Sequence, residues 1–413
     1  MQKLFYEDIH MVDFTARVAE CIPDEAEGLY RIVLDRTAFF PEEGGQLADK
    51  GTLSVMEVSE KVVEETEQTE QIEEMELTES EIKVLDVQIK NNIIYHIVAA
   101  PIPVDTTVTG HVDWTQRFDF MQQHSGEHII SGLIHSHFGL DNVGFHLGLS
   151  EVTLDMNGEL TSEELCMIEQ KANEVIWQNL PINIFYPSAE ELSTLEYRSK
   201  LELTEDVRIV EIPGVDLCAC CAPHVESTGQ IGLIKITGFM RHRGGVRINI
   251  LCGERALADY KEKQNSVTDI SVQLSAKQNA VADAVNRLRE ENGRLKEQYT
   301  ALQAKLLQLA LQSLPAPSQS ANALLFMEEI NDITMRNAIN DLVTKYTGYC
   351  GIFVGNDETG YRFIIGSSAK DCRELAKALR ETLSAKGGGS APMIQGSIQG
   401  TQAVIRDFIS KQQ

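Results

Sequence analysis

The sequence lacks long apolar runs and is sparse in cysteine for its length. Nothing in its 413 residues approaches the about 20 consecutive apolar residues of a membrane-spanning helix, so no membrane span is expected. The N-terminus turns acidic before any apolar run develops, unlike a signal peptide. The eight cysteines are too dilute for a small disulfide-stapled secreted domain. We therefore expect a cytoplasmic protein with reduced thiols.

Basic residues are also in short supply. The chain has 36 of them against 62 acidic residues, a net charge of −26. This weakens the case for a polyanionic partner, because phosphate binding depends on Lys and Arg. The charge is uneven, however, since residues 57–81 contain eleven Glu and one Lys. We interpret that stretch as a solvated acidic insertion and expect local basic clusters to decide the question of nucleic-acid binding.

Hydrophobic patterns predict an α+β fold. Residues 84–89 and 93–98 form a predicted strand pair around Asn91-Asn92, and helices are expected over 115–138 and, behind a capping box, over 161–178. Residues 351–354 and 361–365 are further strand candidates. The patterns divide the chain into a small β-rich, barrel-like domain (1–110), an α/β domain (111–259), a long coiled-coil helix (260–313) and a small α/β domain (322–413).

A heptad pattern supports the coiled-coil assignment. Apolar residues recur every seven positions without a break: Val267, Leu274, Val281, Leu288, Leu295, Leu302 and Leu309. The second seam is partly polar, with Gln278 and Asn292, which leaves a long helix packed on its own chain as the alternative. In a paired coil, Asn292 would fix the register.

Two remote segments carry candidate metal ligands. His124 and His128 are four residues apart, which places both imidazoles on one face of a helix. Cys220 and His224 have the same spacing within a turn-rich loop. Together they offer three nitrogens and one thiolate, a plausible tetrahedral Zn²⁺ set.

Several alternatives stand beside this interpretation. Cys218 and Cys221 form a Cys-x-x-Cys pair with no thioredoxin-like surroundings. A second alternative is that the cysteines are simply buried core residues. A third is that the zinc is purely structural, since four protein ligands leave no open coordination position. His124–His128 also fits the His-x-x-Glu-His signature of inverted zinc peptidases, with Glu127 as general base. That reading needs a downstream carboxylate ligand and leaves Cys220 and His224 without a role.

The motifs resemble those of the editing half of alanyl-tRNA synthetase and of its freestanding relatives, the long-form AlaX trans-editing proteins. Residues 37–46 are similar to the family loop Thr-x-Phe-Tyr-Pro-x-Gly-Gly-Gly-Gln, and residues 112–124 lead into the His-x-x-x-His helix as in these proteins. Residues 144–155 resemble the next strand pair, and 220–232 resemble Cys-Gly-Gly-Thr-His-x-x-x-Thr-Gly-x-Ile-Gly. Residues 387–396 look like the glycine motif of the synthetase C-terminal domain.

The resemblance implies a zinc-dependent aminoacyl-tRNA hydrolase that removes Ser or Gly from alanine-acceptor tRNA in trans. Because no class II aminoacylation domain is expected in the chain, it implies deacylation without ligation. The metal ligands would be His124, His128, Cys220 and His224, with Glu127 and Thr37 as catalytic candidates. Substrate would be bound by Thr37, Gly44, Gly45, Gln46 and Arg247. The tRNA would be contacted by Arg241, Arg243, Gly387, Gly388 and Gly389.

Two departures from the family pattern bear on the site. Cys-Gly-Gly-Thr-His has become Cys220-Cys221-Ala222-Pro223-His224, so the loop lacks glycines and Cys221 is a competing ligand. Glu43 stands where the family has its first glycine. A tRNA-binding module with a degenerate editing site is therefore the alternative function, and the zinc peptidase is a third. The coiled coil would bridge the two domains or join two copies in a homodimer.

Overall fold

A computed structural model describes residues 1–60, 75–199, 207–318 and 320–412, with the side chains of 56–60 and 75–79 excepted. The chain forms two compact units, Met1–Ser266 and Val267–Gln413. The described residues form the mixed α+β fold that the sequence predicts, and they contain eight α-helices. None of the helices in these ranges is both long and apolar enough to cross a membrane.

The first half of unit one is a closed six-stranded barrel, which confirms the barrel-like prediction. A short parallel pair, β1 with β4, lies beside it. Around the barrel the strand order is β2-β3-β7-β6-β5-β8. The strands of this half are β1 (Gln2–Lys3), β2 (Asp13–Pro23), β3 (Tyr30–Leu34), β4 (Arg36–Thr37), β5 (Gly51–Glu60), β6 (Met75–Lys90), β7 (Ile93–Val98) and β8 (Thr107–Val112).

Local sequence explains the barrel strands. Buried and exposed residues alternate along β8 and the first half of β2, as expected where one face of a strand lines a core. Asn91 and Asn92 both adopt positive φ and make the tight turn between β6 and β7, which confirms the predicted hairpin. The predicted acidic insertion falls largely on residues 61–74 and on side chains that lie outside the described part of the chain.

The second half of unit one packs helices against two antiparallel sheets, ordered β14-β15-β10-β9 and β11-β12-β13. A shared core joins the first of these helices to both sheets. The elements are α1 (Trp114–Phe138), β9 (Asn142–Leu147), β10 (Val152–Met156), α2 (Ser162–Gln178), β11 (Asn183–Phe185), α3 (Ala189–Thr194), β12 (Ile209–Ile212), β13 (Asp216–Ala219), β14 (Ile234–His242) and β15 (Gly245–Cys252).

Capping residues set the bounds of both predicted helices. The Asp113 side chain accepts the Gln116 amide at the start of α1, and Gly139 ends the helix in the left-handed conformation. The Thr161 capping box begins α2 as predicted. Both helices therefore follow from local signals that the sequence displays.

The segment predicted as one coiled-coil helix is two helices, α4 (Gly253–Gln273) and α5 (Val281–Gln312). Ser275 adopts φ +49°, and the amides of Ser275 and Ala276 donate to the carbonyls of Val272 and Ser271. This is a Schellman motif, which ends a helix by satisfying its last carbonyls. The heptad pattern continues through the turn, because the spacing of apolar residues does not reveal a helix end that is formed without glycine.

Unit two ends in a five-stranded sheet covered on both faces. The sheet order is β16-β17-β18-β20-β19, with only the β16–β17 pair parallel. One core cluster contains residues of α7 and α8, and the other contains residues of α5 and α6. The elements are β16 (Ala323–Met327), α6 (Asp332–Leu342), β17 (Cys350–Asn356), β18 (Gly360–Gly366), α7 (Cys372–Leu383), β19 (Lys386–Ser390), β20 (Met393–Ile398) and α8 (Gln402–Ser410).

Candidate metal and active site

The buried middle of α1 carries two of the four predicted ligands. His124 and His128 are almost fully buried, and their ring centroids lie 5.5 Å apart. The helix approaches the start of β13 closely at Gly132, where a Cβ would lie 2.4 Å from the carbonyl oxygen of Val215. The absence of a side chain at Gly132 therefore lets β13 and the loop that follows it lie against the two imidazoles.

The structure brings all four predicted ligands together. One possible ligand atom from each of His124, His128, Cys220 and His224 lies within 4.8 Å of the others. The Cys220 Sγ is 3.5 Å from the His124 Nε2 and 3.3 Å from the His224 Nε2. Three imidazoles and one thiolate converging in this way fit a tetrahedral zinc ion.

Each imidazole of the group is anchored through its other ring nitrogen. Such contacts fix the ring orientation and leave Nε2 available to a metal, the arrangement usual for histidine ligands. The Nδ1 atoms lie 2.8 Å from Gln46 Oε1 for His124, 2.8 Å from Asp216 Oδ2 for His128, and 3.0 Å from Ser125 Oγ for His224.

Asp216 is held in turn by Arg198. The guanidinium donates from Nε and Nη2 to the two carboxylate oxygens at 2.7 and 2.9 Å. Burial would raise the pKa of Asp216, but the hydrogen bonds from His128 and Arg198 lower it below its usual range. Asp216 is therefore a carboxylate at neutral pH and can orient His128 as in other carboxylate–histidine–zinc arrangements.

The group is an acid–base pair in the absence of metal. Burial opposes charge on His128, yet its hydrogen bonds to Asp216 and Cys220 raise its pKa well above the ordinary value. Burial would also raise the pKa of Cys220, but its electrostatic interactions and hydrogen bonds with the surrounding imidazoles lower it well below that of a free thiol. Burial lowers the pKa of His224 to about 3, so this imidazole is neutral. Without metal, Cys220 is thus a thiolate and His128 an imidazolium. A metal would need the same thiolate, but it would need His128 to be neutral.

We expect zinc affinity to rise from pH 6 to pH 7, because zinc must displace the proton that the raised pKa keeps on His128. The lowered pKa of Cys220 makes its thiol a smaller contributor to this rise. Competition with a chromophoric chelator at the two pH values measures the zinc affinity. In the Asp216→Asn variant, His128 loses the carboxylate that raises its pKa, so zinc affinity should rise less between the two pH values. A pH-independent affinity in the native protein would contradict the assignment.

The loop between Cys220 and His224 keeps its shape without the family's glycines. None of Cys221, Ala222 and Pro223 has a positive φ, so no residue here needs the conformational freedom of glycine. The Arg208 Nη1 also donates to the carbonyls of Cys220 and Ala222, both at 2.8 Å. The loop without the family's glycines therefore still brings both ligands into the group.

The neighbouring thiols occupy other places. Cys221 packs against the barrel core, with its Sγ 3.2 Å from where a Cβ on Gly44 would lie, and it belongs to neither ligand group found among the described residues. Cys218 forms a second possible group with His128 and Asp216. Burial raises the pKa of Cys218 to about 11, so it is a protonated thiol at neutral pH.

The predicted glycine loop contacts the ligand group through Gln46. Gly44 and Gly45 both have positive φ, and the Gly45 carbonyl accepts the amide of Leu147 in β9. Gln46 is fully buried, with its Oε1 on His124. Its Nε2 has no hydrogen-bond partner within the part of the chain that the structure describes. A buried amide donor without a partner is costly, and beside a metal group it is suited to a ligand.

Thr37 lies inside the barrel rather than among the ligand contacts. Its Oγ1 is 2.8 Å from His96 Nε2 and accepts the amide of Phe39 at 3.1 Å. The His96 Nδ1 faces the Ile32 carbonyl at 3.0 Å, and burial lowers the pKa of His96 to about 4. The neutral ring must donate from Nδ1, so Nε2 accepts the threonine hydrogen. Thr37 can therefore only accept a further hydrogen bond.

Glu127 is a buried neighbour of the group. Its Oε1 accepts hydrogen bonds from Ser131 and Asn142, and its Oε2 is 3.9 Å from His128 Nε2. These contacts favour a supporting role next to the ligands. The peptidase alternative is not favoured, because Cys220 and His224 stand where that reading requires a carboxylate ligand.

The predicted RNA contacts lie on β14, β15 and β19. Arg247 forms a bidentate pair with Asp155 across the β10–β15 pairing, at 2.6 and 2.7 Å. The exposed Arg241 lies 3.1 Å from Glu159, and Arg243 is exposed at the turn. Gly387, Gly388 and Gly389 form most of the exposed edge strand β19 in unit two.

Sequence reasoning did not identify the residues that hold the ligands in place. Ser125 lies within the His124–His128 motif and Asp216 lies just before Cys218, but neither has a distinctive spacing. Arg198, His96 and Asn142 lie outside the quoted motifs, and only the fold brings them to Asp216, Thr37 and Glu127. A search for carboxylates near the ligand motifs would have found Asp216 together with Asp119, Glu127 and Glu226, so it could not have singled out Asp216.

The chain is similar to alanyl-tRNA synthetases and to alanyl-tRNA editing proteins. Residues 207–253, which include Cys220 and His224, match the family model described as the threonyl and alanyl tRNA synthetase second additional domain. An alanine–tRNA ligase of Pyrobaculum neutrophilum is 29% identical over 99% of this chain, but over only 44% of its own length. The chain thus spans less than half of that ligase.

Two shorter relatives match from end to end. The alanyl-tRNA editing protein Aarsd1 of Mus musculus is 25% identical, covering 100% of this chain and 99% of its own. The alanyl-tRNA editing protein AlaX-L of Pyrococcus horikoshii is 24% identical, covering 98% and 97%. The chain resembles the long-form AlaX editing proteins along its whole length. The resemblance inferred from the motifs is thereby confirmed.

A solved structure is also similar to part of the chain. The crystal structure of the C-Ala domain from Aquifex aeolicus alanyl-tRNA synthetase is 19% identical, covering 22% of this chain and 90% of that domain, with a TM-score of 0.19. That score is too low to support any conclusion.

Proposed function

We propose that this AlaX-like protein is a zinc-dependent hydrolase that cleaves the ester between a wrongly attached Ser or Gly and alanine-acceptor tRNA, in trans. The observation that carries the proposal is the group of four ligands with the unpaired Gln46 amide beside it. The names of the mouse and Pyrococcus relatives, which are alanyl-tRNA editing proteins, support the substrate class.

The aminoacyl ester needs little activation, so positioning and stabilisation of the developing oxyanion are sufficient for catalysis. The Gln46 Nε2 is a preorganised donor for that oxyanion, or for the ester carbonyl that precedes it. Its orientation is fixed because the same side chain holds His124 through Oε1. Glu127 places a carboxylate beside His128, which makes the surroundings of the ligands polar.

Zinc, when bound to His124, His128, Cys220 and His224, would supply a positive charge that orients the substrate. Four protein ligands already complete a tetrahedral shell, which disfavours activation of a water at the ion. The protein groups around the ion, chiefly Gln46 and Glu127, therefore carry the specific hydrogen bonding.

Different parts of the chain carry hydrolysis and tRNA binding. Residues 111–259 carry hydrolysis, with the loop of Gly44, Gly45 and Gln46 contributed by 1–110. Residues 322–413 hold tRNA through the strand of Gly387–Gly389. This domain contains ten acidic and ten basic residues, so the net charge of −26 lies elsewhere in the chain. Arg241, Arg243 and Arg247 add phosphate contacts near the acceptor end.

The direct test is deacylation of Ser-, Gly- and Ala-charged tRNA(Ala) by the zinc-loaded protein and by the same protein after chelation. We expect fast loss of Ser or Gly, slow loss of Ala, and no hydrolysis without metal. Binding of tRNA with no hydrolysis of any ester would instead establish the degenerate binding module. Cleavage of peptides would establish the peptidase.

Selectivity for Ser over Ala is expected to fall when Thr37 is changed to Val. The threonine hydrogen is already donated to His96, so the remaining lone pair is available to accept from a serine hydroxyl. Loss of one such hydrogen bond should lower the Ser/Ala ratio of kcat/KM by about tenfold. Thr15→Val, on β2 of the same barrel, is the matched control. An unchanged ratio in Thr37→Val would exclude Thr37 from recognition of the serine hydroxyl.

A further inference from the structure

Arg117 and Asp49 form an ion pair that is completely buried between α1 and the loop that follows β4. Both side chains are at most 1% exposed, and the Arg117 Nε lies 3.0 Å from each carboxylate oxygen of Asp49. Removing two charges from water is costly, and apolar residues of similar volume are often at least as stabilising in such a place. Stability alone therefore does not account for this pair.

The ion pair holds the two ends of one loop, residues 38–49. The Asp49 Oδ2 accepts the Phe40 amide at 2.6 Å, and the Asp49 amide donates to the Phe40 carbonyl at 3.0 Å. The Arg117 Nη2 donates to the Ala38 carbonyl at 2.6 Å. Two hydrogen bonds thus join the ends of the 38–49 loop to each other, and one guanidinium fixes both ends to α1.

Gln46 lies within the 38–49 loop. The middle of the loop is tight, because the backbone groups of Glu43 and Gln46 are hydrogen-bonded to each other at 3.1 and 3.2 Å. From there the Gln46 side chain reaches His124 on α1. Arg117 and His124 are seven residues apart, which places them on one face of the helix, two turns and about 10 Å apart. The loop is therefore fixed to one helix face at two heights, by the ion pair and by Gln46.

We propose that Arg117 and Asp49 are positioning residues for catalysis, which fix the 38–49 loop on α1 so that the Gln46 amide is held where the ester reacts. The inference rests on the proposed function, in which Gln46 donates to the oxyanion. Arg117 and Asp49 act through Gln46, because both are buried and the hydrogen bonds described above lie within the chain. Arginine suits this place, because its fork of donors reaches Asp49 and the Ala38 carbonyl together, whereas lysine offers a single point charge.

Deacylation of Ser-tRNA(Ala) by a zinc-saturated Arg117→Met/Asp49→Leu variant tests this role. Apolar side chains fill the place of the ion pair, so we expect the melting temperature to stay near that of the native protein. They cannot hold the Ala38 carbonyl and the Phe40 amide, so kcat should fall by about 10–100-fold, since a misplacement of about 1 Å can lower a rate by about 100-fold. KM should stay within about twofold, because tRNA is bound by other residues. Native kcat in the folded variant would overturn the proposal.

Combination with Gln46→Glu shows whether the ion pair acts through Gln46. In that background Arg117→Met/Asp49→Leu should lower kcat by less than about threefold, because the donor that the pair positions is already absent. A general disturbance of the structure would instead lower kcat by the same factor in both backgrounds, and that result would disprove the role. Arg117→Lys keeps the charges and serves if the apolar variant does not fold. It should lower kcat by about 10-fold, and only when Gln46 is present.

Hydrogen exchange followed by mass spectrometry makes the test independent of activity. The Gln46 amide is hydrogen-bonded within the 38–49 loop, so it should exchange at least about 10-fold faster in Arg117→Met/Asp49→Leu. Unchanged exchange would contradict the proposal, whereas a native protein that hydrolyses no ester would contradict only the proposed function.

The matched control is Arg31→Met/Asp24→Leu. It removes an ion pair outside the loop, in which the Arg31 Nε lies 2.8 Å from the Asp24 Oδ2. The control variant should keep the native kcat and the native exchange of the Gln46 amide. Losses equal to those of Arg117→Met/Asp49→Leu would show that the position of the ion pair does not matter, and the proposal would be wrong.

Discussion

Replacing Cys220 with alanine is expected to release zinc and to lower hydrolysis of Ser-tRNA by at least about 100-fold. Loss of even an outer partner of a zinc ligand lowers affinity or activity by roughly 10–100-fold, and Cys220 is the single thiolate of the group. The change also leaves His128 without one of the two hydrogen bonds that raise its pKa. Zinc content by elemental analysis and single-turnover deacylation measure the two effects.

The adjacent thiol provides the control. Cys221 lies next to Cys220 in the chain, yet it packs toward the barrel and Gly44. Cys221→Ala should therefore keep its zinc and most of its activity. If Cys221→Ala lost the metal and Cys220→Ala kept it, the two cysteines would have exchanged roles, and the ligand assignment would be wrong.

Changing Gln46 to Glu is expected to lower kcat by about 10²–10³-fold while zinc is retained. The carboxylate still accepts from His124 Nδ1, so the imidazole keeps its orientation. The amide donor is lost, and removal of one oxyanion donor typically has an effect of this size. Gln46→Leu loses both interactions, so it should additionally weaken zinc binding by about 10–100-fold. Stopped-flow deacylation and zinc titration of both variants separate the two roles.

A matched Gln-to-Glu change tests whether added charge alone explains the loss. Gln116 lies near the same loop and donates to the Ala48 carbonyl at 3.1 Å. Gln116→Glu should leave kcat within about threefold of the native value, as is usual for a change away from the reacting groups. Full activity of Gln46→Glu would show that the unpaired amide does not touch the substrate.

Local patterns were sufficient to predict the elements that carry the site. Asp113 and Gly139 bound α1, and the Asn91-Asn92 turn defines a barrel hairpin, because caps and turns depend on a few neighbouring residues. The two ligand pairs were predictable for the same reason. Their meeting across 92 positions, from His128 to Cys220, was inferred from the complementary ligand chemistry of the two pairs rather than from any local structural rule.

What could not be predicted depends on contacts between distant residues or on backbone geometry. Gln46 meets His124 across 78 positions, and Thr37 meets His96 across 59. Neither contact leaves a periodic trace in the sequence. The break between α4 and α5 was missed because Ser275 closes the helix in a conformation for which glycine is the usual signal.

A metal ion bound to the ligand group would also cross-link distant parts of unit one. His128 and Cys220 belong to a helix and a loop that only long-range folding brings together, and a cross-link that closes so long a loop restricts the unfolded chain strongly. Zinc should therefore be captured late in folding and should then resist local opening of α1 away from β13. Loss of the ion should therefore make this part of unit one more sensitive to proteolysis, although the catalytic side chains themselves are unchanged.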